Sequence, residues 1–176
     1  MNFKISSMVK SLFFIALMAV VFSSCKKDDP DPDYVGTWVT IGALSDGISS
    51  MEMKELIILS SGKFEQIVQI KNPNTNQWVN YIGFKGTFNT SEKKLNIKIT
   101  EAGIAATSPI TKLPTGQIEY LKSTDELFKE FMEAFETPET YEMEYEVNGG
   151  EITFKSDYNN DQDYNDPGEA RTYIRQ

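Results

Sequence analysis

From Tyr34 to the last residue, apolar side chains recur mostly at every second position, the period of a half-buried β-strand and not the 3.6 of a helix. Leu95, Ile97 and Ile99 share one face of 94–100, with Asn96, Lys98 and Thr100 on the other. Tyr141, Met143, Tyr145 and Val147 alternate without error with Glu142, Glu144 and Glu146. Over 63–71, Phe64, Val68 and Ile70 fall on one side, a face that Gln66 interrupts. Trp78, Ile82, Phe84 and Phe88 line one face of a long segment over 77–89. Gly83 and Gly86 are its bend points, since glycine tolerates the bulges that curve a sheet. The pattern predicts strands over 35–42, 54–60, 63–71, 77–89, 94–100, 116–121, 140–147, 151–156 and 170–175. Tight hairpins are expected at Ser60-Ser61-Gly62-Lys63, at Thr90-Ser91-Glu92-Lys93 and at Asn148-Gly149.

One segment changes period. Ser123-Thr124-Asp125-Glu126 reads as a capping box, with Ser123 facing Glu126. Leu127, Phe128, Phe131, Met132 and Phe135 then follow at helical spacing, and Pro138 ends the run. Such a stripe packs against a barrel wall or plugs one end. Eight or nine successive antiparallel strands must close on themselves or cover their edges. The expected fold is therefore all-β, an eight- to nine-stranded antiparallel up-and-down barrel with one short α-helix. The first, third and fifth connections (43–53, 72–76 and 101–115) read as long loops at one rim, and the second and fourth as tight turns at the other. A cup with an open mouth has that shape. Met51, Met53, Ile104, Ile110 and Leu113 place apolar side chains on the expected rim loops.

The chain begins differently. Lys4 and Lys10 precede an unbroken apolar run of eleven residues, Leu12 to Phe22, and Ser23-Ser24-Cys25 follows. The run has the length of a secretory apolar segment and is shorter than the ~18–20 residues that cross a bilayer. With its small residues ahead of the only cysteine, this start resembles the signal and lipobox of bacterial lipoproteins. The resemblance implies cleavage after residue 24 and lipidation of Cys25. Residues 25–33 form an acidic tether with prolines at 30 and 32, and 34–176 the single barrel domain. Cys-Lys-Lys-Asp-Asp also resembles the export tag of bacteroidete-type lipoproteins, which implies outer-membrane anchorage facing the cell exterior. Eight tether residues reach roughly 25 Å, so the domain would sit close to the membrane.

Charge and composition narrow the function. Residues 1–24 hold two lysines and no acid, so the 152 that follow carry 15 basic and 26 acidic side chains, net −11. That surface repels nucleic acid phosphates and anionic lipid, leaving the lipid on Cys25 as the expected membrane contact. The sequence has no histidine, and its one cysteine is the lipidated one. Serine–histidine and cysteine–histidine nucleophiles, histidine acid–base catalysis and histidine metal sites are all excluded. Glu142, Glu144 and Glu146 read as the solvent face of a strand, as do Glu52 and Glu55 near a loop. No enzyme activity and no cofactor are expected. Asp157, Asn159, Asp161 and Asp163 place oxygen ligands at alternate positions, like the first half of an EF-hand loop. Gln162 stands where the sharp-turn glycine belongs, so a calcium site competes with an ordinary solvated turn.

Gly36-Thr37-Trp38 opens the first strand, and Tyr173-Ile174-Arg175 closes the last. A Gly-x-Trp, an up-and-down meander and a last-strand arginine together resemble the lipocalin-like domains of bacterial lipoproteins. By that resemblance Trp38 seals the closed end and Arg175 lies across its ring, with Arg171 on the same strand face. It also implies a small, mostly apolar ligand inside the barrel. The candidate lining is Phe64, Val68, Trp78, Phe84, Leu95, Ile97, Tyr120, Met143 and Tyr145. The competing reading is a filled barrel that serves as an accessory or interaction protein and meets a protein partner through its loops.

Overall fold

Nine antiparallel strands and one helix realise this pattern among the described residues, which in this computed structural model are 32–45, 50–157, 164, 166 and 169–176. The strands are β1 (Gly36–Ser45), β2 (Ser50–Ser60), β3 (Lys63–Lys71), β4 (Trp78–Ser91), β5 (Lys94–Thr107), β6 (Pro114–Lys122), β7 (Thr140–Asn148), β8 (Glu151–Lys155) and β9 (Ala170–Arg175). The helix α1 (Glu126–Ala134) lies between β6 and β7. The chain divides into two units, Met1–Pro32 and Asp33–Gln176, and every one of these elements belongs to the second.

Each strand from β1 to β5 pairs with the next, β5 pairs with β7, β7 with β8, and β8 with β9. Trp38↔Arg175 and Val39↔Ile174 then join β1 to β9 and close an eight-stranded barrel. Closure gives each of the eight strands a partner on both sides, where an open sheet would leave its two outer strands with one edge unpaired. β6 stands outside the ring. β5 is long enough to carry two partners on one edge, β7 along Lys94–Lys98 and β6 along Glu101–Thr107. Thr100 is skipped in the register with β4, so a bulge bends β5 where its partner changes. The Ser123 N–H donates to the Thr100 carbonyl and the Ile99 N–H to the Glu139 carbonyl, which pins both ends of the helical excursion to this bend.

Phe128 and Met132 of α1 are buried in the core, and Phe131 meets the ring of Phe84 edge-on. Leu127 points outward, so the buried stripe is narrower than the spacing predicts. The expected capping box does not form. Asp125 is the N-cap and makes no side-chain cap bond, because its carboxylate accepts the Lys122 N–H at 2.6 Å instead.

The rim departs from expectation too. β2 starts at Ser50 and β5 runs to Thr107, so Met51, Met53 and Ile104 belong to strands, and only Ile110 and Leu113 lie on a connection. The β1–β2 ladder continues to Ser45↔Ser50, since pairing keeps satisfying backbone groups past the last clear alternation. The asymmetry of the two ends remains. Two-residue turns at 61–62, 92–93 and 149–150 share one end, and the longer connections 72–77, 108–113 and 156–169 share the other.

The turn end is sealed. Trp38 is completely buried there, its indole N–H donating to the Tyr34 carbonyl at 2.8 Å. Arg175 lies over the ring, 4.6 Å from its centroid, and donates to the carbonyls of Asp33 and Val35. Leu59, Phe64, Leu95, Ile97, Ile99 and Ile152 pack in the same fully buried core.

Candidate functional site

Above this core the barrel interior opens into a cavity of about 620 Å³. Ile57, Phe84, Met143 and Phe154 supply apolar wall, from β2, β4, β7 and β8. Glu55, Gln66, Arg171 and Tyr173 supply polar wall, from β2, β3 and β9. Glu136, Thr137, Pro138, Ser156, Asp157, Tyr164 and Glu169 contribute from the connections before β7 and after β8.

Strand parity explains the polar wall. Glu55 shares a face of β2 with Ile57 and Leu59, and Gln66 shares a face of β3 with Phe64, so both project inward. Register brings them close, because Gln66 is opposite Ile57 and Glu55 opposite Val68. Glu55 is 4% exposed and does not belong to a solvent face as the pattern suggested. A carboxylate held that deep costs several kcal/mol unless it is paired and hydrogen-bonded. Here Arg171 Nη1 donates to Glu55 Oε2 at 2.7 Å, and Gln66 Nε2 donates to Oε1 at 2.5 Å. The Tyr173 phenol shares this part of the cavity wall. Burial, reinforced by the Glu55 charge, pushes the Tyr173 phenol far above its ordinary range, although Arg171 pulls the other way. Burial alone would disfavour the Arg171 charge, but Glu55 and Tyr173 outweigh it and hold the guanidinium more firmly protonated. Half of the Arg171 side chain remains exposed, so its guanidinium can still meet a guest.

A second polar group anchors the connection after β8. Lys94 Nζ lies 2.6 Å from Glu142 Oε1, and the Tyr164 hydroxyl donates to the same oxygen at 3.1 Å. The hydrogen bond from Lys94 holds the Glu142 carboxyl below its usual range, against the effect of burial.

Of the nine lining residues expected from the pattern, Phe84 and Met143 face the cavity. Phe64, Leu95 and Ile97 are packed in the core beneath it, and Val68 is half-buried on β3. Tyr145 is half-buried at the sealed end, edge-on to Tyr34 with centroids 5.2 Å apart. Trp78 lies on the opposite side from its expected face. Tyr81 is skipped in the β3–β4 register, and this bulge inverts the parity of β4 above it. The Trp78 ring is left beside the ammonium groups of Lys54 and Lys71, 5.4 and 5.8 Å from its centroid. Tyr120 sits on β6, outside the ring, with Lys85 Nζ 4.1 Å from its centroid. Burial, with Glu65 and Glu101 nearby, pushes its phenol up to about 12.

The pattern missed Glu55, Gln66, Arg171, Tyr173 and Phe154. The available signal was polarity on an inward parity, Gln66 between Phe64 and Val68 and Glu55 in phase with Ile57. Asp157 of the calcium candidate borders the cavity, whereas Asn159, Asp161 and Asp163 lie outside the described residues, as does Cys25. Among the described residues no group of three His, Cys, Asp or Glu side chains is placed to hold a metal ion. No described helix is long and apolar enough to cross a membrane. No protein-family model matches the chain, and no curated protein shows significant similarity to it.

Proposed function

We propose that this is an outer-membrane lipoprotein, held at the cell exterior through Cys25, whose lipocalin-like barrel binds a small molecule. The observation that carries the binding reading is the cavity of about 620 Å³ above a sealed floor. That volume is in the range of small-molecule sites, which pair apolar walls with a few fixed polar groups. The lining is more polar than a purely apolar guest requires. The proposed ligand therefore has an apolar body for Phe84, Met143 and Phe154 and a polar group within reach of the Glu55–Arg171–Tyr173 wall.

A second reading, an interaction protein that works through its rim, has one observation in its favour. Ile110 is 90% exposed on the 108–113 connection, and Ile104 and Met51 are also exposed near the same end. Native mass spectrometry separates the two. The mature chain from residue 25, carrying Cys25→Ser, should retain a small co-purifying mass or take up one equivalent of an environment-sensitive dye. Met143→Phe, which adds volume to the cavity wall, should weaken that uptake. A folded chain that retains nothing and takes up no dye would refute ligand binding and leave the interaction reading.

A further inference from the structure

We infer that the ligand carries an uncharged oxygen acceptor, the carbonyl of a ketone, ester or amide on a hydrocarbon body, and that Arg171 reads it; this rests on the binding reading above. Among the described residues, Arg171 is the one cation lining the cavity. A guanidinium presents five N–H donors in a planar fork and accepts nothing. Glu55 takes the Nη1 donor at 2.7 Å, and half of the Arg171 side chain stays exposed. One carboxylate cannot occupy all five donors, so N–H groups remain for a guest. Glu55 has the opposite balance. It is 4% exposed, and both of its oxygens are engaged, Oε2 by Arg171 and Oε1 by Gln66 Nε2 at 2.5 Å. The pair therefore offers a guest donors without a net charge.

That combination selects among head groups. A carboxylate guest would reach the fork only alongside Glu55, giving up its hydration to a pair already neutral. An ammonium guest would find the Glu55 oxygens engaged and the guanidinium beside them. A carbonyl loses far less hydration than an ion does, and a hydrogen bond from a charged donor is about twice as strong as one between neutral groups. The apolar wall begins directly beside the fork. Phe154 is the register partner of Arg171 across β8 and β9, and Ile57 stands two residues from Glu55 on the same face of β2. With Phe84 and Met143 they would hold the hydrocarbon body while its carbonyl accepts from Arg171.

Three probes of equal chain length test this: octan-2-one, octanoate and octylammonium, titrated calorimetrically into the mature chain carrying Cys25→Ser. The ketone should bind at least about tenfold more tightly than either ion. This order needs no further variant, so it decides the inference even where a substitution fails to fold. Arg171→Lys keeps a positive partner for Glu55 but removes the fork, and should weaken the ketone by about tenfold. Glu55→Gln, close in shape, leaves the guanidinium without its counter-charge and should reverse the order, so that octanoate binds more tightly than the ketone. Either ion binding the unaltered pair as tightly as the ketone would overturn the inference while leaving the binding reading standing. So would a folded variant whose affinities match those of the unaltered pair. Binding of none of the three would remove both.

Discussion

Trp38 and Arg175 meet as a register pair, and their contact closes both the ring of strands and the floor of the barrel. Trp38→Ala should cost about 3–5 kcal/mol, as truncation of a fully buried aromatic does. Arg175→Ala should cost less, about 1–2 kcal/mol, since the guanidinium lies at the surface. The two losses should fall short of additivity by about 0.5 kcal/mol or more in chemical denaturation, and strict additivity would show that the contact carries no energy. Tyr173 makes a second prediction at this scale. Its phenol is held neutral by burial and by the Glu55 charge, so its ionisation lies far above the ordinary value near 10. Above pH ~10 the unfolded chain gives up that proton and the folded chain keeps it, so stability falls as pH rises. Tyr173→Phe should flatten this alkaline loss, with Tyr120, pushed up to about 12, accounting for part of what remains. Denaturation midpoints measured across the alkaline range, for wild type and variant, provide the check. An unchanged slope would mean that Tyr173 is not the group being titrated.

At the scale of elements, two bulges decide what faces inward. The skip at Tyr81 turns Trp78 out of the barrel, and the skip at Thr100 bends β5 so that it can leave β7 for β6. The second bulge depends on Gly86, where a methyl group would collide with the Lys98 carbonyl across the pair. Neither backbone can retreat without breaking the ladder. Gly86→Ala should therefore cost about 1–3 kcal/mol or more, as overpacking does. Gly42→Ala has nothing within 4 Å of the added carbon and serves as the neutral comparison. Equal stability of the two variants would show that β5 can shift to accommodate the methyl group.

For the whole molecule, the proposed arrangement is a cup on a short tether. Every described strand and helix lies in the barrel unit, so removing the proposed membrane attachment should leave them intact. Cys25→Ala should abolish lipidation and release the protein from membranes, because the mature surface is acidic and the apolar run is too short to span. Retention in the membrane fraction after alkaline and high-salt washing would refute the lipoprotein proposal. The released protein should keep its denaturation midpoint.

The sequence by itself determined the strands, the helix and the barrel class. These follow from period and turn chemistry, which are local and repeat along the chain. The Trp38–Arg175 pair was legible only through the resemblance carried by Gly36-Thr37-Trp38 in the first strand and Tyr173-Ile174-Arg175 in the last. Glu55 reads from sequence as part of a solvent face and Gln66 as a break in an apolar one, because nothing local says that an inward glutamate will find an arginine. Arg171 reaches Glu55 only because β9 closes onto β1, a contact between residues 116 positions apart. The bulges were decided the same way. A one-residue skip against a neighbouring strand leaves no trace in the alternation of β4, yet it reverses Trp78. Strand identity is a property of neighbouring residues, whereas the cavity and its charge belong to strands brought together by closure, and closure is tertiary.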